Sequence, residues 1–190
     1  MSETTAVSER PPEDRPPVRF PRWAIIALAA IVALTAGAYV ARTTVSPASA
    51  RDAATLLGIS LPDVDGREQK LDQWRGKVLV VNFWATWCAP CREEMRDFIR
   101  AQKSDGSRGL QFVGIAVYQA DKVKQYAREI DLNYPALIGG MGAMQLSQSL
   151  GNDLMALPFT VVVSRDGKIV HTQLGPLKQA ALDELLAKLL

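Results

Sequence analysis

The chain has 190 residues, 48% of them hydrophobic and 22% charged, a globular composition that excludes wholesale disorder and collagen-like repeats and suits one ordinary domain with an appendage. Twenty-two Lys and Arg against 20 Asp and Glu leave a net charge of +2 with no basic block, so a nucleic-acid partner has no electrostatic footprint. One histidine, His171, and two cysteines, Cys88 and Cys91, exclude any site that needs several Cys or His ligands from this chain, structural zinc patterns included.

Residues 1–22 hold five of the 11 prolines, four acids and four arginines, and only Val7, Val18 and Phe20 as sizeable apolar groups. Such a segment cannot bury a core and is expected to be a disordered cytoplasmic N-terminus. Residues 23–41, WAIIALAAIVALTAGAYVA, are 19 residues without a charge. At the helical rise they come close to the roughly 30 Å of a bilayer's hydrocarbon layer, so one transmembrane helix is expected there. A cleavable signal peptide is the alternative, because Ala48, Ser49 and Ala50 form a small-x-small site. The apolar run is longer than a signal core of roughly 7–15 residues, which favours an uncleaved signal anchor. Arg10, Arg15, Arg19 and Arg22 precede the span and Arg42 and Arg51 follow it, which favours a single pass of the cytoplasmic (inner) membrane with the C-terminal domain in the periplasm or another extracytoplasmic space. Residues 42–55 read as a linker and 56–190 as the domain.

Within the domain, Leu61 to Leu71 carries a hairpin signal at Asp65 and Gly66. Lys77 to Phe83, KVLVVNF, reads as a strand buried on both faces. From Pro90 to about Lys103, the spacing of Cys91, Met95, Phe98 and Ile99 predicts an amphipathic helix with proline in its first turn. Then come a strand over Phe112 to Val117, a helix opened by Asp121 with Val123, Tyr126, Ala127 and Ile130 on one face, and a short strand around Tyr134 to Ile138. Gly139 to Gly142 matches no phosphate-cradling spacing and reads as a flexible loop. A hairpin of Phe159 to Val163 and Lys168 to Gln173 turns at Asp166 and Gly167, and a last helix carries Leu182, Leu185, Leu186 and Leu189. The alternation predicts an α/β domain with parallel pairing and helices on both sheet faces.

The chemistry sits in Trp84 to Cys91, WATWCAPC, between a buried strand and a helix start. A thiolate there faces unpaired N–H groups and the positive end of the helix dipole, which lowers its pKa and makes it a nucleophile near neutral pH. Two residues between the cysteines let both sulfurs close a small disulfide and open it again. Cys88, ahead of the helix, is expected to be exposed and to attack; Cys91, one turn in, is expected to be buried and to resolve the mixed disulfide. The zinc alternative lacks a second ligand pair, and a permanent staple across two residues would restrain little unfolded chain.

Trp84 to Cys91 resembles the signature of the thioredoxin superfamily, and VVNFWATWCAPCREEM, with GIAV from Gly114 and YPAL from Tyr134, resembles its membrane-anchored TlpA, ResA and CcmG branch. The resemblance covers roughly residues 58–190. It implies a thioredoxin-like α/β fold, in which a central mixed sheet is flanked by helices, with an N-terminal hairpin and a strand and helix inserted after the active-site helix, over Phe112 to Leu137. It also implies a thiol-disulfide oxidoreductase outside the cytoplasmic membrane, reducing protein disulfides such as those of apocytochrome c or copper-site cysteines. Electrons would come from an integral membrane thiol carrier, and no cofactor or metal is implied.

By the same resemblance, Leu157 and Pro158 correspond to a cis-proline element, and Glu94, three residues after Cys91, corresponds to the acid that tunes the cysteine pair. Glu93 is adjacent, so which of the two faces inward stays open. Asn82 stands where thioredoxins carry a buried aspartate, which leaves proton transfer to Glu94 or to water. Trp87, Pro90, Leu157 and Pro158 are the expected substrate-binding set, Trp87 as a partly exposed lid or else a core residue, and Trp84 as core. Two departures stand out. Arg96 replaces a helix-kinking proline, and Gly151 lies seven positions before Pro158, a longer segment than the family pattern. The alternative function is a copper chaperone holding Cu(I) with Cys88, Cys91 and His171.

Overall fold

A computed structural model describes residues 49–190, with side chains from Ala53 onward. The expected N-terminal segment, transmembrane span and first part of the linker lie outside these residues. Among the described residues no helix is long and apolar enough to cross a membrane.

Four elements follow the sequence reading closely. β1 (Ser60–Pro62) and β2 (Glu68–Lys70) pair as an antiparallel hairpin, closed by a turn in which Gly66 has φ +79°. β3 (Val78–Trp84) is buried at every position, as a central strand covered on both sides must be. α2 (Ala89–Asp105) opens with Pro90 in its first turn and runs unbroken through Arg96. Its Cys91, Met95 and Phe98 are buried on the sheet side.

β4 (Leu110–Ala116), α3 (Ala120–Glu129) and β5 (Ala136–Ile138) form the strand, helix and strand expected between Phe112 and Ile138. After α4 (Gly140–Ser149), β6 (Phe159–Val163) and β7 (Ile169–Leu174) make the last hairpin, and α5 (Gln179–Leu189) ends the chain. The strand order is β5-β4-β3-β6-β7. β3, β4 and β5 are mutually parallel, and β6 and β7 run antiparallel to their neighbours, so the sheet is mixed. β5 takes the outer edge beside β4, and one bridge from Asp63 to Leu137 ties the first hairpin to it.

Alternation along β3 divides the core in two. Val78, Val80 and Trp84 pack with Cys91, Met95 and Phe98 of α2, Val123 of α3 and Leu182 and Leu186 of α5. Leu79, Val81 and Phe83 pack on the opposite face with Ala143 of α4 and with Ala53, Leu56 and Leu57 of α1 (Ser49–Leu57). Helices therefore cover both faces.

Two expectations are corrected. The linker expected over 42–55 gives way at Ser49 to α1, because Ala53, Leu56 and Leu57 recur at helical spacing and are buried. The expected flexible loop at Gly139 to Gly142 is instead the N-cap and first turn of α4. Here glycine serves close packing, since a Cβ on Gly139 would lie 2.6 Å from the Ala143 Cβ and 2.8 Å from Ile115 Cγ2. Gly139→Ala is therefore expected to cost about 1–3 kcal/mol. A lower denaturant midpoint with an unchanged slope is the measurement that checks it.

Candidate active site

β3 ends at Trp84, and the following turn delivers Cys88 to the N-cap of α2. Cys88 and Cys91 are joined as a disulfide with Cα atoms 5.3 Å apart. The Cys91 N–H donates to Cys88 Sγ at 3.3 Å, so the first turn of the helix points a donor at the sulfur expected to be the nucleophile. The expected contrast in exposure is corrected in degree. Cys91 is fully buried, but Cys88 is also only 5% exposed, because it packs into the core cluster with Trp84, Ala85 and Cys91. Trp87 is 65% exposed beside them and is not a core residue; Trp84 is wholly buried. Pro90 is exposed in the first turn, and the Leu157–Pro158 peptide is cis, with Pro158 buried and Leu157 packed against the cysteine-containing cluster.

Helical spacing resolves the choice between the two glutamates. Glu93 points to solvent, while Glu94 is 3% exposed, on the buried face one turn beyond Cys91. The Asn82 amide donates to Glu94 Oε1 at 2.8 Å and to Thr160 Oγ1 at 3.0 Å, and the Leu177 N–H donates to Glu94 Oε2 at 2.8 Å. Burial pushes the Glu94 carboxyl up to about 7; the Leu177 and Asn82 hydrogen bonds oppose this, and Asp97 adds to it. Sequence reasoning identified Asn82 only as a residue that cannot titrate. It missed Asn82, Thr160 and Leu177 as the clamp on Glu94. The register Asn82↔Thr160 brings two elements of that clamp together, and no local pattern announces it.

Burial also pushes the Tyr134 hydroxyl well above its usual value, with Glu94 and Tyr126 adding to the effect. Among the described residues, Tyr134 Oη, Trp84 Nε1 and Asn82 Oδ1 are buried without a hydrogen-bond partner. Trp84 Nε1 lies over Gly114, where a Cβ would approach it to 2.7 Å, so glycine in β4 makes room for the indole. The copper ligand set does not assemble. His171 sits on β7, two strands away from β3 in the sheet, and lines a groove with Gln173, Leu177 and Glu184. Among the described residues no three Cys, His, Asp or Glu side chains come together as a metal site.

The family model for redoxins matches residues 43–189. The chain belongs to the redoxin family. Relatives of this redoxin include the thioredoxin-like protein YneN of Bacillus subtilis, 30% identical over 131 residues that span 67% of this chain and 74% of YneN. The thiol-disulfide oxidoreductase ResA of Bacillus thuringiensis subsp. konkukian is 27% identical over 128 residues, 67% of this chain and 72% of ResA. Among solved structures, a thioredoxin-family thiol:disulfide interchange protein from Chlorobium tepidum superposes with a TM-score of 0.63 at 32% identity, covering 69% of this redoxin and 92% of that chain. A secreted thiol-disulfide isomerase from Corynebacterium glutamicum shares the fold, with a TM-score of 0.62 at 24% identity over 70% of this redoxin and 84% of that protein. The redoxin is a thiol-disulfide oxidoreductase of the TlpA, ResA and CcmG-like branch of the thioredoxin superfamily.

Proposed function

We propose that this redoxin is a membrane-anchored reductase of protein disulfides, acting outside the cytoplasm. The observation that carries the reading is the Cys88–Cys91 pair at the α2 N-terminus with the buried Glu94 one turn away. In the reduced protein the Cys88 thiolate, held by the Cys91 N–H, attacks one sulfur of a client disulfide and expels the other as a thiolate. Cys91 gives its proton to Glu94 and attacks Cys88 Sγ. The Cys88–Cys91 bond forms as the bond from Cys88 to the client sulfur breaks, the two client thiolates take protons from solvent, and two electrons have passed to the client. A carboxyl near pKa 7 is suited to take that proton and return it when the pair is reduced again. A membrane thiol carrier is the electron donor this cycle calls for. Clients of the apocytochrome c or copper-site type fit a reductase on that side of the membrane.

Equilibration of the cysteine pair with a glutathione buffer tests the direction of flow. A potential near the thioredoxin value of about −270 mV is expected, and one near −120 mV would make the protein a disulfide donor. Anchoring rests on the uncharged run at 23–41 and the arginines before it. The protein is expected to stay in the membrane pellet after alkaline carbonate washing, and a reporter active only outside the cytoplasm is expected to work when fused after Leu190. Release of a mature form beginning at Arg51 would establish cleavage instead.

A further inference from the structure

The segment that runs longer than the family pattern, between Gly151 and Pro158, is built around one side chain. Asn152 is fully buried; its amide donates to Ser147 Oγ at 3.1 Å and to the Ala156 carbonyl at 2.9 Å, and its Oδ1 accepts from the Ala156 N–H at 3.1 Å. The Met155 N–H donates to the Asn152 carbonyl at 2.9 Å and closes the loop. Met155 has φ +47°, a left-handed conformation that a bulky side chain adopts only where the surroundings hold it. The result is that Leu154 and Met155, 77% and 40% exposed, are held out to solvent immediately before Leu157 and Pro158.

Topology places them at the end of the sheet that carries the reacting sulfur. β6 runs antiparallel to β3 with Phe159 opposite Phe83, so the residues ahead of Pro158 lie at the end of the sheet where β3 leads into Trp87 and Cys88. The Val117 N–H donates to the Trp84 carbonyl and the Gly139 N–H to the Ala116 carbonyl, which brings Tyr118 and Met141 to the same end. Six of the seven exposed large apolar residues among those described therefore lie towards that end: Trp87, Tyr118, Met141, Leu154, Met155 and, opposite Phe159 on β7, Leu174. Charge is nearly absent. Residues 84–91 and 109–120 carry none, and 132–164 carry Asp153 alone, whereas a 22% charged chain would place about seven in that last stretch. Within these stretches an anionic lipid surface finds no cationic side chain, and Asp153 is their one charge. An uncharged apolar segment does find a match, and its position is continuous with the disulfide at which a client's sulfur must arrive.

We propose that Leu154 and Met155 are specificity-determining residues, facing Trp87 across Cys88 and seating an apolar side chain that flanks the reactive cysteine of an extended client segment. This rests on the oxidoreductase reading. The full-length protein, reduced and freed of reductant, is mixed at low concentration with either of two disulfide peptides that differ only at the residues flanking the cysteine, leucine in one and serine in the other. Wild type is expected to be oxidised about tenfold faster by the leucine peptide, the effect of burying roughly half a leucine side chain. Leu154→Ser combined with Met155→Asn, the asparagine tolerating the left-handed backbone, is expected to bring the ratio of the two rates to within about twofold of one. Because the readout is a ratio, a general loss of reactivity cancels. Val170→Ser, an exposed apolar residue on β7, is expected to keep the wild-type ratio. Asn152→Ala, which leaves both apolar side chains but frees the loop, is expected to lower it. Equal rates with the two peptides in wild type, or a preference that survives the double substitution, would overturn the proposal. Failure to react with either peptide and with glutathione disulfide would strike the oxidoreductase reading itself.

Discussion

Replacing Cys91 with serine is expected to leave Cys88 covalently joined to client proteins, as mixed disulfides that withstand denaturation and disappear on reduction. Cys88 sits at the helix N-cap with the Cys91 N–H aimed at its sulfur, whereas Cys91 is sealed in the core beneath Met95 and Phe98. The first sulfur can meet a client and the second can meet only the first. Cys88→Ser is accordingly expected to trap nothing and to abolish turnover completely. Non-reducing electrophoresis of both variants checks the assignment, and equal trapping by the two would reverse it. Cys88 is only 5% exposed while its neighbour Trp87 is 65% exposed, so little of the attacking residue faces solvent in the disulfide form.

Glu94→Gln is expected to remove most of a pH dependence of stability. Burial holds the carboxyl near pKa 7 against an ordinary 4.5, so the folded state binds this proton more tightly than the unfolded state. The stability that follows is fully present below about pH 4.5, falls between there and pH 7, and is absent above, with a total drop of roughly 3 kcal/mol. Denaturant midpoints of the disulfide form at pH 5 and pH 8 are expected to separate in wild type and to converge in the variant. With the pair reduced, the same substitution is expected to lower the pKa of the facing thiol, because the carboxylate that repelled its thiolate is gone. It is also expected to slow exchange at pH 8 by roughly 10²-fold, for want of a base. Superimposable curves in both experiments would make Glu94 an ordinary surface acid, at odds with its hydrogen bonds to Asn82 and Leu177.

What could be read from the sequence was whatever a periodicity or a fixed spacing encodes. β3 announced itself by an unbroken β-branched run, α2 by Cys91, Met95 and Phe98, and the site by two cysteines across a helix start. Glu94 was indicated by resemblance with Glu93 still in contention, and the fold turns only Glu94 inward. α4 escaped because its buried positions are Ala143, Met144 and Ser147, small or flexible groups preceded by glycines, and a helix that lies close to a sheet needs such residues. α1 escaped because the alanines and leucines that bury it follow a Ser- and Pro-containing stretch that reads as a tether. Asn152 escaped for another reason: a buried amide that organises a loop through hydrogen bonds to residues four and five positions away leaves no periodic trace. The clamp on Glu94 joins residues 82, 94, 160 and 177, and only the assembled sheet brings them together.

The bridge between Asp63 and Leu137 has a bearing on how this molecule survives its own work. On the proposed reductase reading, opening a client disulfide frees extended chain near the enzyme, and an unpaired strand edge is a template for such chain to add to. β5 is one of the sheet's two edge strands, three residues long and ending on the same side as the cysteines. The β1–β2 hairpin folds across it, and Asp63, whose carboxylate is already engaged by the Asp65 and Arg67 N–H groups, occupies the position opposite Leu137. A client therefore meets the redox sulfur at an end of the sheet where the β5 edge is already taken by the chain's own hairpin.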